Sequence, residues 1–224
     1  MDTKLTGKTR IESDLIGARE IPAEALYGVQ TLRGIENFSI SKFRLSEYPL
    51  FIKGLAITKM AAAMANFELG LLTVEQKDAI ISACGEIIEG KHHDQFPVDM
   101  IQGGAGTTTN MNANEVIANR ALELMGHERG EYQYCSPNDH VNCGQSTNDV
   151  IPTAGKMTSL HLLQNLKKQL LRLYDALNEK AKEFDHVIKM GRTQLEDAVP
   201  MTLGQTFNGF ASILRDEIAH LNEA

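Results

Sequence analysis

Cys143-Gly144-Gln145-Ser146-Thr147-Asn148-Asp149-Val150-Ile151-Pro152 opens the longest periodic run in the chain. A glycine is followed by small polar residues, and Ser146, Thr147 and Asn148 are all good N-caps standing where a helix should begin. Beyond them Met157, Leu160, Leu163, Leu166, Leu170, Leu173, Leu177, Ala181 and Phe184 recur at three and four, which predicts one helix over roughly 150–184. At about 1.5 Å per residue such a helix spans on the order of 50 Å, too long for one small domain. Leu162 and Leu171 lie off the stripe, so two covered faces and an oligomer are expected. The first amides of a helix lack intrahelical partners and carry the positive end of its dipole. Hydroxyls and an amide added there make a neutral, donor-rich cradle for an anion. An ordinary capped helix would account for this stretch alone, but the pattern recurs twice more.

Upstream, Gly103-Gly104-Ala105-Gly106-Thr107-Thr108-Thr109-Asn110 leads from glycines through hydroxyls into a helix expected over 110–125 and closed by Gly126. No Gly-Lys-Ser/Thr follows, so it is not a phosphate loop, and Thr109 occupies the place of a third dinucleotide-binding glycine. Asn110, Asn112, Asn114 and Asn119 in one helical run are costly by propensity, which predicts buried hydrogen bonding. Downstream, Gly191-Arg192-Thr193-Gln194-Leu195-Glu196-Asp197 reads as a third glycine-then-hydroxyl turn between helices. After Pro200, Phe207, Phe210, Leu214, Ile218 and Leu221 mark a final helix. No end signal closes it before Ala224, so the chain reads as the front part of a longer one.

Between these landmarks the pattern is helical. Leu50, Gly54, Ile57, Met60–Ala61, Met64 and Phe67–Glu68 predict one helix face. Thr73-Val74-Glu75-Gln76 is a capping box, followed by Ile80, Ile81, Cys84, Ile87 and Ile88, so the two helices form a hairpin. His92-His93-Asp94 lacks the spacing of a helical zinc site and reads as a solvated loop. The first 46 residues read as short strands or turns around one small helix near Ala23, and residues 130–143 as loop.

Composition bounds the rest. The chain has 224 residues, 42% hydrophobic and 23% charged, with a formal charge of -7 that speaks against nucleic-acid and anionic-membrane partners. No apolar run is expected to cross a bilayer, and Met1-Asp2-Thr3-Lys4 has no signal-peptide character. Cys84, Cys135 and Cys143 form no C-x-x-C pair, which suits a reduced, cytoplasmic setting. Cys143 near His140 raises a cysteine hydrolase, though nothing orders the two and a buried structural thiol reads better.

Thr107, Ser146–Thr147–Asn148 and Thr193–Gln194 thus share one chemistry, that of short neutral donors at helix ends. A dicarboxylate needs such donors in number, because its buried oxygens must stay paired. If one carboxylate becomes an enediolate when an adjacent C–H proton leaves, each donor aimed at it is worth roughly 2.7–4 kcal/mol.

Gly103 to Asn119, Pro137-Asn138-Asp139-His140-Val141-Asn142 with Gln145 to Asp149, and Gly191-Arg192-Thr193-Gln194-Leu195 with Asp197 to Met201 resemble the aspartase/fumarase superfamily across essentially the whole chain. The resemblance implies an all-α fold: a mostly helical N-terminal domain over 1–142, then the first long helices of the superfamily's helical bundle over 143–224. It implies a homotetramer whose active sites each draw on three subunits. The implied reaction is anti elimination of ammonia from L-aspartate to give fumarate. Thr107, Ser146, Thr147 and Asn148 are implied to bind the substrate's carboxylate and amino groups, with Thr193 and Gln194 assisting. Gln194 stands where fumarases have histidine, and Ser136 stands where they have the histidine of a secondary anion site; both favour ammonia loss over fumarate hydration, the alternative. The family's base, a serine on a glycine-serine-serine loop with a lysine after it, has no counterpart among these residues. The catalytic base is therefore expected beyond Ala224, and the chain alone is expected to be inactive. No organic cofactor or metal ligand set is implied, although some relatives respond to divalent cations. A non-catalytic helical scaffold is the competing class, against which the retained hydroxyls speak.

Overall fold

A computed structural model of the chain describes residues 7–223. Met1-Asp2-Thr3-Lys4, where a leader was sought, and Ala224, where the chain stops, lie outside the described residues. Two compact units result, one through Ser159 and one from Leu160 onward. The architecture is helical, with two small antiparallel hairpins.

The first unit begins with strands β1 (Thr9–Asp14) and β2 (Gly17–Pro22), paired from Thr9↔Pro22 to Asp14↔Gly17. The Asp14 carboxylate accepts Ile16 and Gly17 N–H at 2.9 and 3.2 Å, which closes the turn. Helix α1 runs Val29–Asn37, so the small helix expected near Ala23 forms six residues later. The capping carboxylates that start it come from distant residues, which local propensity does not reveal. Helices α2 (Pro49–Glu68) and α3 (Val74–Ile88) make the expected hairpin. Thr73 Oγ1 accepts Gln76 N–H while Gln76 Oε1 accepts Thr73 N–H, the reciprocal pair that the sequence predicts.

The buried face of α2 is the predicted one only in part, through Gly54 and the partly buried Met60 and Phe67. Ile52, Leu55, Ala56, Lys59, Ala63 and Asn66 are buried, whereas Ile57 and Met64 are exposed. α2 is apolar on both sides, so periodicity alone selected a stripe only partly right, and its true core face includes a lysine and an asparagine. By length and composition α2 is also apolar enough to cross a membrane, which corrects the expectation that no run in the chain is. Here its apolar residues meet the protein core, and Lys59 and Asn66 are hydrogen-bonded within it.

Helix α4 (Thr107–Leu124) starts three residues earlier than expected and is buried nearly all round from Thr109 to Leu122. It packs against α1, α2 and α3, and Val116, Ile117, Ala121 and Leu122 join the core cluster with Leu55, Ile80 and Ile87. Burying a leucine-sized side chain is worth about 1.5–3 kcal/mol, so this central helix anchors the unit. The stretch 130–143 is not all loop: Ser136 caps a one-turn π-helix, Pro137–Val141. Arg120 clamps α4 to α3 through Glu86 at 2.6 and 2.8 Å, with His92 on the same carboxylate at 2.9 Å. His93 Nε2 meets Ile87 O at 2.8 Å, so both loop histidines are engaged locally.

That clamp gives a pH prediction. Arg120, followed by His92, holds the Glu86 carboxyl down from 4.5 to about 2. A carboxylate with a depressed folded pKa adds stability above its unfolded value and loses it as pH falls. The urea midpoint of wild type should therefore drop between pH 4.5 and 2, and Glu86→Gln should flatten that part of the profile.

Helix α5 (Thr147–Glu183) extends about 55 Å at 1.5 Å per residue. In the first unit it crosses α2 where Gly54 leaves no side chain: a Cβ there would sit 2.8 Å from Ala154 O. Gly54→Ala should cost about 1–3 kcal/mol of overpacking, read as a lowered unfolding temperature. In the second unit Leu160, Leu162, Leu166, Leu171 and Leu173 are exposed, so the two covered faces expected of α5 are absent within one chain. Strands β3 (Ile188–Thr193) and β4 (Glu196–Thr202) form a hairpin with a register shift between Met190 and Arg192. Helix α6 (Leu203–Glu223) follows, its start capped reciprocally by Thr202 and Gln205 at 3.0 Å each. The expected turn between helices at 191–197 is thus a β-hairpin; Gly191 lies in its bulge, and the Thr193–Glu196 pair closes its tip.

Candidate active site

The starts of α4 and α5 come together. Gly106, just before α4, is packed so closely on Ile151 of α5 that a Cβ would meet its Cγ1 at 2.9 Å. Asn110 Nδ2, from the first turn of α4, reaches Thr147 Oγ1 at 3.4 Å and Asn142 Oδ1 at 3.1 Å. Two helix N-termini therefore lie close together, each carrying the positive end of its own dipole. Ser146 is the N-cap of α5: its hydroxyl oxygen accepts Asn148 N–H at 3.2 Å, and Asp149 Oδ2 accepts Ser146 N–H at 2.8 Å. A hydroxyl accepting in this way still has its own proton to donate. Thr107, Ser146 and Asn148 are exposed and Thr147 is half-buried, so the cradle opens to solvent. The Thr107 hydroxyl is turned back on Gly104 O at 2.6 Å.

Thr193 and Gln194 belong to the second unit and are exposed at the β3–β4 tip. Gln194 and Leu195 have φ of 51° and 68°, the left-handed pair of a tight hairpin that glycine or asparagine usually fills. For leucine this is strained by about 1–2 kcal/mol. Such strain is stored most often where a side chain must be presented in one direction.

Behind the cradle lies a polar core, and here is the residue that sequence reading missed. Lys59 is fully buried on α2, and its ammonium donates to Asn142 Oδ1 at 2.8 Å and Gln145 Oε1 at 3.0 Å. Burial lowers its pKa from 10.5 to about 7. Asn66 Nδ2 donates to Cys143 O at 2.8 Å, and Gln145 Nε2 donates to Val141 O and Cys143 O at 2.9 and 3.1 Å. The segment from Val141 to Thr147 is thus tied from several sides. Lys59 stands four residues after Leu55 and four before Ala63, a spacing that marks it only once that stripe is known to face the core.

The asparagine-rich run of α4 is buried as expected. Asn119 Nδ2 donates to Leu26 O and Tyr132 Oη at 2.8 and 3.0 Å, and Asn112 Nδ2 donates to Gln95 O at 3.0 Å. Beside them Glu115, 1% exposed, accepts Gly28, Gln30 and Thr31 N–H at 2.9, 2.8 and 3.0 Å. Burial raises its pKa despite these bonds.

A cleft of about 630 Å³ opens elsewhere in the unit, between the β1–β2 turn, the start of α1 and Ser136-Pro137-Asn138. Asp14 and Glu115 line it, so an anion would meet carboxylates there. The Ser136 hydroxyl bonds Asp139 Oδ2 at 3.0 Å and accepts Asp139 N–H at 3.1 Å.

The cysteine-hydrolase reading finds no dyad. His140 Nδ1 accepts Ser136 N–H at 2.8 Å and its Nε2 lies 3.2 Å from Gln76, while Cys143 meets His140 only through backbone. Cys143 is half-buried rather than buried. Burial pushes the Cys84 and Cys135 thiols up to about 12, so neither is a nucleophile at neutral pH. Among the described residues no group of three His, Cys, Asp or Glu side chains is placed to hold a metal ion.

Comparison with known proteins bears on this cradle. A lyase family profile matches residues 17–224. Aspartate ammonia-lyase of Helicobacter pylori (strain J99) is 58% identical over 215 residues, covering 96% of this chain and 46% of that protein. Aspartate ammonia-lyase of Escherichia coli K12 is 53% identical over 218 residues, covering 97% and 46%. The chain therefore spans about half the length of these relatives. A crystal structure of fumarate lyase:delta crystallin from Brucella melitensis bound to cobalt superposes with TM-score 0.91 at 52% identity, covering 96% of this chain and 47% of that one. Class II fumarase from Schistosoma mansoni superposes with TM-score 0.85 at 38% identity, covering 95% and 44%. Since both the profile match and these superpositions run through α4, α5 and the β3–β4 hairpin, the chain that builds this cradle belongs to the lyase family, within the aspartase/fumarase superfamily.

Proposed function

We propose that the complete protein eliminates ammonia from L-aspartate to give fumarate. The observation that carries the reading is the meeting of two helix N-termini at Thr107 and Ser146–Thr147–Asn148, tied by Asn110. Neutral hydroxyl, amide and backbone donors bind a carboxylate without adding a counter-charge. They bind it more tightly as it gains charge on loss of the neighbouring C–H proton, which is differential stabilisation of the enediolate. Thr147 and Ser146 donate to that carboxylate, Asn148 and Thr107 orient the amino group, and Thr193 and Gln194 assist in a site completed by other subunits. Gln194 is an amide, neutral at every working pH, which suits a site releasing ammonia. The relatives named aspartate ammonia-lyase support this choice over fumarate hydration.

Among the described residues the cradle holds donors and the family's base loop has no counterpart, so residues 1–224 alone should be inactive. The exposed leucines of α5 support assembly into a helical bundle with further copies, a homotetramer. Three unbridged cysteines suit a cytoplasmic setting. The test is fumarate's ultraviolet absorbance with the protein from the complete gene, given L-aspartate and then malate. Turnover of aspartate is expected; turnover of malate instead identifies a hydratase, and turnover of neither identifies a scaffold.

A further inference from the structure

Lys59 is a buried ammonium without a buried counter-ion: among the described residues no carboxylate bonds it, and its acceptors are two amide oxygens. A core built for stability alone would place an apolar side chain there, since a buried charge is costly even when well paired. Both acceptors belong to the short segment that delivers Ser146 and Thr147. Asn142, held by the ammonium, accepts from Asn110 at 3.1 Å, and Asn110 reaches Thr147 Oγ1 at 3.4 Å with the same Nδ2. Asn142 Nδ2 donates in turn to Gln145 O at 3.1 Å. Asn110 Oδ1 is buried and without a hydrogen-bond partner, so this amide is oriented by its NH2 side alone.

We propose that Lys59 is a positioning residue for this reaction: from behind the cradle its ammonium fixes Asn142 and Gln145, and through Asn110 it sets where the Thr147 hydroxyl points. Lys59 does not touch substrate. The inference rests on the proposed elimination of ammonia from aspartate.

The test uses the protein from the complete gene, with kcat and KM for L-aspartate normalised to folded protein. A purely structural lysine would change the amount of folded enzyme and leave KM where it was. A misplaced binding hydroxyl raises KM, and a displacement near 1 Å costs about 100-fold in rate. Lys59→Met should therefore raise KM at least about tenfold and lower kcat/KM about 100-fold. Lys59→Met with Gln145→Met removes one of the two orphaned acceptors and also the Gln145 ties to Val141 O and Cys143 O, so it should keep the raised KM. Asn110→Ala leaves the ammonium paired and cuts only the relay to Thr147; it should show the same rise, and it decides the matter if the lysine variants do not fold. A folded Lys59 variant, or Asn110→Ala, with wild-type KM overturns the inference. A wild type inert toward aspartate overturns the proposed function and this inference with it, whereas active wild type with unaltered variants overturns the inference alone.

Discussion

Glu115→Ala lowers the stability of the protein by about 3–5 kcal/mol, the size expected when a buried charge-assisted site loses its acceptor. The carboxylate closes the start of α1 by accepting N–H groups from Gly28, Gln30 and Thr31. Removing it leaves these donors unpaired, those of Gly28 and Thr31 buried, and each such buried donor costs about 1–3 kcal/mol. A second carboxylate does not stand in for it, because Glu12 Oε2 is taken up by Val29 N–H and Tyr132 Oη, at 3.0 Å each. Arg10 offsets the charge of Glu12 at 2.7 Å, while Glu115 has only the helix dipole and its hydrogen bonds. Glu115→Gln keeps one acceptor and turns an NH2 toward a donor, so its loss is smaller. The ordering Ala below Gln below wild type in urea midpoint is the expected result; equal midpoints contradict the assigned role.

If the complete protein eliminates ammonia from aspartate as proposed, Thr147→Ala should lower its kcat/KM for aspartate by roughly 100–1,000-fold, the usual cost of one donor to a developing oxyanion. The side chain is half-buried at the first residue of α5. Its removal leaves no void in the main core, and the unfolding midpoint should hardly change. Thr147→Ser keeps the hydroxyl and most of the activity. Unchanged turnover in a folded Thr147→Ala protein supports the non-catalytic scaffold instead.

The helical class was legible because its signals are local. The capping box at Thr73 and Gln76, an N-cap among Ser146, Thr147 and Asn148, and the helical period of α5 are local signals, and these elements form, although Leu160, Leu166 and Leu173 of the α5 stripe are exposed. The hydroxyls of Thr107, Ser146 and Thr147 were legible as lying at helix starts for the same reason, whereas Thr193 and Gln194 stand on a hairpin tip instead. What depends on residues distant in the chain was not. Glu115 caps a helix 84 to 87 residues away, so α1 was expected in the wrong place. Lys59 reaches partners 83 and 86 residues on, and a lysine in an apolar helix reads as its exposed face. α2 carries apolar side chains on both faces, and periodicity does not choose between two stripes. The β3–β4 hairpin escaped because its turn residues, Gln194 and Leu195, are not the glycine or asparagine that announce one, and Gly191 sits in a bulge instead.

The most direct test of the converging helix starts is a crystal structure of the complete protein with fumarate bound. The account predicts one fumarate carboxylate within hydrogen-bonding distance of Thr147 Oγ1 and the Ser146 hydroxyl, at the place where α4 and α5 begin. Fumarate held in another cleft, with Thr107 and Ser146–Asn148 facing only solvent, would contradict it.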